Sequence, residues 1–266
     1  GTVSANKNSV KIIGNHTAKY AQAYFDYDSK KSGGITVSHL RFGNEKIRST
    51  YLIHQADFVA CHNHTYLHKY NLVQDLRDGG TFLLNCYYTQ EDLEHQIPGQ
   101  VKRYIAEHNI QFYMIDAVRI AKEIGLKNKI STILQAAFFC LSDIIPIEDA
   151  RRYMKEAAEF SYRKKGDKII QMNFQAIDRG ISDVVKVEVP ESWKNAEYEP
   201  LQSEIFQDRA EIMEYVEKIQ NVINAQEGNS LPVSAFLNYV DGSSPSGSSA
   251  HERRNIATDI PVWNPE

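Results

Sequence analysis

The sequence predicts an α/β fold: an open sheet, parallel or mixed, flanked by helices, with an extended and mostly irregular or helical connecting region at the C-terminal end. Three observations carry this. Short apolar runs bounded by turn residues recur along the first two thirds of the chain, segments of helical period separate them, and the pattern stops near Pro190. The 266 residues, 42% hydrophobic and 24% charged, are ample for a core.

The first stretch, "GTVSANKNS", has the small and polar composition of a loop and leads into a short buried strand over Val10 to Gly14. Thr17 to Asp28 is helix-like, and Ile35 to Phe42 alternates as a half-buried strand does. "DFVACHN" (57–63) and "GGTFLLNC" (79–86) predict fully buried strands, with "HTYLHKYNLVQDL" between them helical in period. "PGQVKRYIAEHN" opens a helix with Pro98 at its start, and "IQFYMID" is another buried strand. "AVRIAKEIGL", "KISTILQAAFFCLS" and "PIEDARRYMKEAAEFSYRKKG" follow as helices, and "VVKVEV" (184–189) closes the unit as a strand. Beyond Pro190 a polar stretch precedes one amphipathic helix, "SEIFQDRAEIMEYVEKIQNVINAQ", and then the Ser/Gly-rich loop "DGSSPSGSSA". These features divide the chain into an α/β domain over 1–192 and a connecting region over 193–266.

Composition excludes several classes of function. A net charge of −4 does not suit a nucleic-acid binder, and no apolar run or secretory h-region suggests a membrane or export. Three cysteines without a CxxC pair argue against a disulfide framework or a structural zinc site and point to a reducing, cytoplasmic setting. The charge is unevenly spread. Residues 1–50 hold eight lysines and arginines against three carboxylates, a net +5, which leaves −9 for the rest. A basic block on an acidic chain fits a local phosphate or carboxylate site. The absence of an initial Met and the lack of capping elements at either end read as a piece of something longer.

Two stretches within that block suit an anion. In "YDSKKSGGITVSHLRFG", Lys30, Lys31 and Ser32 precede Gly33 and Gly34, where bare backbone N–H groups admit a close approach; a plain β-turn with solvated lysines is the competing reading. In "GTVSANKNS", Asn6, Lys7, Asn8 and Ser9 offer donors, though neither a Walker A loop nor a GxGxxG fingerprint is present, and a polar linker is the alternative. "CHNHTYLHKY" places His64 and His68 four apart, a metal-ligand spacing, but without an HExxH carboxylate or a second thiol; ordinary surface histidines are the simpler account. The residues themselves indicate no catalytic group and no metal ligand.

"GTVSANKNSVKIIG" followed by "YFDYDSKKSGGITVSHLRFG" closely resembles the third, gamma-type domain of pyruvate:ferredoxin (or flavodoxin) oxidoreductases. "IRSTYLIHQADFVACHN", "GGTFLLNC", "IDAVRIAKEIGL" and "KNKISTILQAAFF" continue the resemblance, and "GNSLPVSAF" and "IPVW" resemble the segment leading toward that family's ferredoxin-like domain. The resemblance implies a fragment of an enzyme, itself a homodimer, that converts pyruvate and coenzyme A to acetyl-CoA and CO2 and passes electrons to ferredoxin or flavodoxin. Thiamine diphosphate, Mg2+ and 4Fe-4S clusters would belong to the full-length enzyme, and coenzyme A to this domain. It further implies that Asn6, Lys7, Ser9, Lys30, Lys31, Ser32, Gly33 and Gly34 contact coenzyme A, a polyanion suited to a basic face. Ser4 stands where the family commonly has glycine. The rival reading is a packing module that meets the parent's other domains and holds no small molecule. A third, a zinc hydrolase built on His64 and His68, would require stoichiometric metal.

Overall fold

A computed structural model describes residues 2–29, 34–199, 207–252 and 261–265. The chain divides into two compact units, Gly1–Asp26 with Ser38–Glu199, and Tyr27–Val37 with Pro200–Glu266.

The first unit is built on a four-stranded sheet in the order β3-β4-β5-β6, with β3 at Ala56–Cys61, β4 at Leu76–Asn85, β5 at Gln111–Ile115 and β6 at Val185–Lys186. The first three strands are parallel, in a register that sets Val59 beside Phe82 and Phe82 beside Phe112. β6 joins antiparallel, with Val185 opposite Met114. The two-residue period of a strand divides the apolar residues between two faces. Phe82, Leu84 and Phe112 join one core with Val101 and Ile105 of α3 (Gly99–Glu107), behind the short α2 (Leu93–Gln96). Leu83 and Ile115 face the other way, onto α4 (Ala117–Ile124), α5 (Ser131–Ser142) and α7 (Asp167–Ser182). Burying a phenylalanine or leucine in such a core contributes roughly 1.5–3 kcal/mol. A third cluster packs Ile12 and Ile13 of α1 (Thr2–His16) and Met154 of α6 (Ile147–Tyr162) against α5 and α7.

α5 and α7 cross closely at Gly180. A Cβ there would overlap the Ile133 carbonyl oxygen and come within 2.8 Å of the Ala136 Cβ, so only glycine fits. The chain then runs past β6 and lies over α3 as a strap. Its Trp193, 1% exposed, sits in the first core and donates its Nε1–H to Glu94 Oε2 at 2.6 Å. Lys102, 7% exposed, donates to the Glu94 carbonyl and, at 3.3 Å, to its carboxylate. Arg103 donates to the Ala196 carbonyl.

Four local expectations are corrected. The stretch expected as a loop and a buried strand lies, over its described residues 2–14, in the helix α1, with Ser9, Ile12 and Ile13 buried at the i, i+3, i+4 spacing of one helix face. Thr17 to Asp28, expected as helical, holds instead the strand β1 (Tyr20–Tyr27), whose Ala21, Ala23 and Phe25 are the more covered set. "HTYLHKYNLVQDL" forms only one 3-10 turn, His64–His68, capped by Asn63 accepting from the Thr65 N–H at 3.2 Å. The strand expected over 184–189 shortens to two residues at a sheet edge, and residues 167–182, for which the sequence pattern predicts no element, form α7. The expected open mixed sheet flanked by helices is present.

β1 pairs with β2 (Thr36–Gly43) as a separate two-stranded sheet. The hairpin's tip belongs to the second unit and is closed by the Asp28 N–H donating to the Ile35 carbonyl at 3.1 Å. In that unit α8 (Ala210–Tyr215) continues through a π turn at Val216–Gln220 into α9 (Asn221–Asn224), burying Ile212, Val216 and Ile219. The Ser/Gly-rich segment is fastened to this helix: Arg209 donates to the Ser246 carbonyl at 2.6 Å, and buried His251 holds Asp208 at 3.1 Å.

Candidate functional site

In open α/β sheets ligands sit outside the carboxyl ends of the strands. Here those ends open into "HNH" (62–64) after β3, "CYY" (86–88) after β4 and Asp116 after β5. One side chain ties the three together. Asn85, 5% exposed, donates from Nδ2 to the His62 carbonyl at 2.9 Å and accepts the Ala117 N–H at 3.0 Å. Each loop is also fixed locally. Asn63 caps the turn that carries His64, and Asp116 caps α4 by accepting the Arg119 N–H at 2.9 Å. Beyond Tyr88, Thr89 donates from its N–H and its hydroxyl to Asp92 Oδ2, each at 2.8 Å. The edge is preformed.

α1 meets this edge at its first turn, where His62 Nδ1 lies 3.3 Å from Thr2 Oγ1. Of the residues expected to contact a ligand, Asn6 and Lys7 follow on this helix, Asn6 partly buried and Lys7 exposed, with Lys7 Nζ 5.4 Å from the Phe25 ring centroid of β1. Ser9 is 1% exposed and its hydroxyl donates to the Ala5 carbonyl at 3.2 Å, so it is engaged within the helix. Ser4 is helical, a conformation that needs no glycine. Gly34 lies in the hairpin tip, where a Cβ would come within 2.8 Å of Asp28. Lys30, Lys31, Ser32 and Gly33 lie outside the described residues.

Burial favours the neutral forms of the imidazole and thiols of the edge. It pushes the His62 imidazole down to about 4 and the Cys61 and Cys86 thiols up to about 12 and about 11, the opposite of a reactive thiolate. Tyr88 is pushed up to about 12, chiefly by burial, and His64 is lowered by burial and by His68. These groups suit holding a ligand better than moving protons or forming a covalent bond. His64 turns to Tyr87 and Tyr88, with ring centroids 5.2 and 5.1 Å away. No group of three or more metal-ligating side chains occurs among the described residues.

His62 gives a pH dependence. The folded state binds its proton only near pH 4, whereas the unfolded chain binds it from about 6.5. Its contribution is therefore intact above pH 6.5 and is lost progressively as pH falls toward 4. Urea unfolding at pH 7.5 and 5.0 should show a smaller loss of stability in His62→Asn than in the parent chain. Equal losses would mean that His62 is not the buried neutral group described.

Sequence pattern alone passes over Thr2, Asn85, Tyr87 and Tyr88. A signal for the tyrosines is nonetheless present: an aromatic pair directly after a buried apolar strand falls where that strand must end.

The described fold is an α/β domain with a mixed four-stranded sheet flanked by helices. It resembles a pyruvate oxidoreductase subunit from Thermotoga maritima with a TM-score of 0.54 at 20% identity, covering 71% of this chain and 92% of that one. A keto/oxoacid ferredoxin oxidoreductase gamma subunit from Geobacter sulfurreducens gives 0.50 at 15% identity, covering 69% and 89%. Residues 1–182 match the family described as pyruvate ferredoxin/flavodoxin oxidoreductase, and the chain belongs to that family. Residues 203–257 match a domain of unknown function. The chain is 49% identical to the pyruvate-flavodoxin oxidoreductase of Enterobacter agglomerans over 99% of its length, and 48% identical to the pyruvate:ferredoxin oxidoreductase of Moorella thermoacetica over all of it. It spans 22% of the length of each relative.

Proposed function

We propose that this chain is the part of a pyruvate:ferredoxin or pyruvate:flavodoxin oxidoreductase that binds and positions coenzyme A. The observation that carries the proposal is α1 lying against the carboxyl edge of the sheet, its Thr2 hydroxyl oxygen 3.3 Å from His62 Nδ1, with partly buried Asn6 and exposed Lys7 further along the helix. Hydroxyl and amide groups together with an ammonium suit a diphosphate or a 3′-phosphate. By the sequence resemblance, Lys30, Lys31, Ser32, Gly33 and Gly34 would also contact coenzyme A. In the parent enzyme this domain would hold the thiol of coenzyme A near the reacting carbon, a catalysis by proximity that can reach several kcal/mol.

Thiamine diphosphate, Mg2+ and iron–sulfur clusters would reside in the rest of the parent protein, as would the docking of ferredoxin or flavodoxin. A cluster needs thiolates grouped as ligands, and here Cys61, Cys86 and Cys140 are all raised in pKa by burial, so these residues do not fit one.

Calorimetric titration with coenzyme A tests the reading. Saturable binding is expected, weakening with salt and falling about tenfold or more in Lys30→Ala/Lys31→Ala and in Lys7→Ala. A folded chain that binds no coenzyme A, or variants that bind like the parent, would favour the packing-module reading.

A further inference from the structure

Coenzyme A ends in a planar purine as well as in phosphates, and the carboxyl edge has a place of different chemistry from the first turn of α1. His64, Tyr87 and Tyr88 converge there from the ends of β3 and β4. Tyr87 and Tyr88 lie 5.0 Å apart at 63°, and His64 meets them at 88° and 73°. Tyr87 is 68% exposed, a large ring surface held in solvent directly after the buried run 82–86. The loops beneath are fixed by the Asn63 cap, the Asn85 bridge and the Thr89–Asp92 turn, so little freedom remains to be lost when a ring stacks on them.

The charge around this corner argues against a phosphate. The imidazole is biased toward its neutral form and the Tyr88 phenol keeps its proton. Asp92, beside Tyr88, is held in its charged form by hydrogen bonds from Thr89. A flat, uncharged heteroaromatic ring meets no such repulsion and gains stacking on a tyrosine face.

We propose that Tyr87, braced by His64 and Tyr88, is the stacking seat for the adenine ring of the bound nucleotide, apart from the basic groups that hold its phosphates. This rests on the coenzyme A reading for the identity of the ligand, while the seat itself rests on the aromatic geometry.

The test uses the whole chain with adenosine 3′,5′-bisphosphate, which carries the base, and 4′-phosphopantetheine, which does not. Binding is read by calorimetry and by the imidazole proton signals of His64, assigned by their loss in His64→Gln. Adenosine bisphosphate is expected to shift the His64 signals. Tyr87→Ala should weaken it about tenfold or more while Tyr87→Phe retains it. Phosphopantetheine should bind the parent and Tyr87→Ala alike. Because Tyr87 is exposed, neither substitution removes core packing. Unmoved His64 signals, or a Tyr87→Ala variant that binds the bisphosphate like the parent, would overturn the seat. If coenzyme A then still bound in a Lys30/Lys31-dependent manner, only the seat would fall. If the bisphosphate stacked on Tyr87 and intact coenzyme A did not bind, the seat would stand and the coenzyme A reading would fall.

Discussion

Trp193→Ala should destabilise the first unit by about 3–5 kcal/mol, the range for emptying a buried tryptophan site. The indole is 1% exposed, packs into the same core as Phe82 and Phe112, and satisfies Glu94 with its N–H. Alanine would leave a cavity, and Glu94 would keep only Lys102 of these two donors. Trp193→Phe separates the two effects. It fills most of the space and loses only the hydrogen bond, so about 1.5–3 kcal/mol is expected for a bond to a charged acceptor. Urea unfolding of both variants provides the measurement. A loss under about 1 kcal/mol in Trp193→Ala would show that the strap is a loose connection and not part of the core.

Gly180→Ala should destabilise by about 2 kcal/mol, although exchanging glycine for alanine in a helix ordinarily gains roughly 1 kcal/mol. The obstruction is the Ile133 carbonyl, which is backbone and cannot swing aside as a side chain can. α5 and α7 must separate, loosening the contacts of Ala137, Ala176 and Ile177 on both sides of the crossing. Gly180→Val should fail to fold. An alanine variant with an unfolding midpoint at or above that of the parent would contradict the close crossing.

The central strands β4 and β5 were legible because their apolar residues are covered on both faces of the sheet. Continuous apolar runs as short as "TFLLNC" and "IQFYMI", closed off by turn residues, suit a doubly covered strand and are too brief for a helix. The long helices were legible for a similar reason, each having one clear apolar stripe. Residues 2–28 were misread because tertiary packing there overrides composition. α1 contains two valines, a threonine and two asparagines before residue 11, all weak helix formers, and it is held by Ile12 and Ile13 against α5, α6 and α7. In "YAQAYFDY" the alanines imitate a helix, whereas the strand is set by pairing with β2, which no local pattern encodes. Composition and resemblance both offered Asn6 and Lys7 as ligand contacts, and both residues lie on α1. Asn85 escaped notice because bridging three loops depends on which strands are neighbours.

The hairpin tip gives the molecule a history in time. Tyr27–Val37 belongs to a unit whose other residues begin at Pro200, so its partners leave the ribosome more than 160 residues after it does. At about 5–20 residues per second, that interval is on the order of ten to thirty seconds. During it the sheet, α3 and the strap can assemble while the tip waits. Shortening the chain to end before Pro200 would make that wait permanent, so the second unit cannot be removed by cutting the chain at one point.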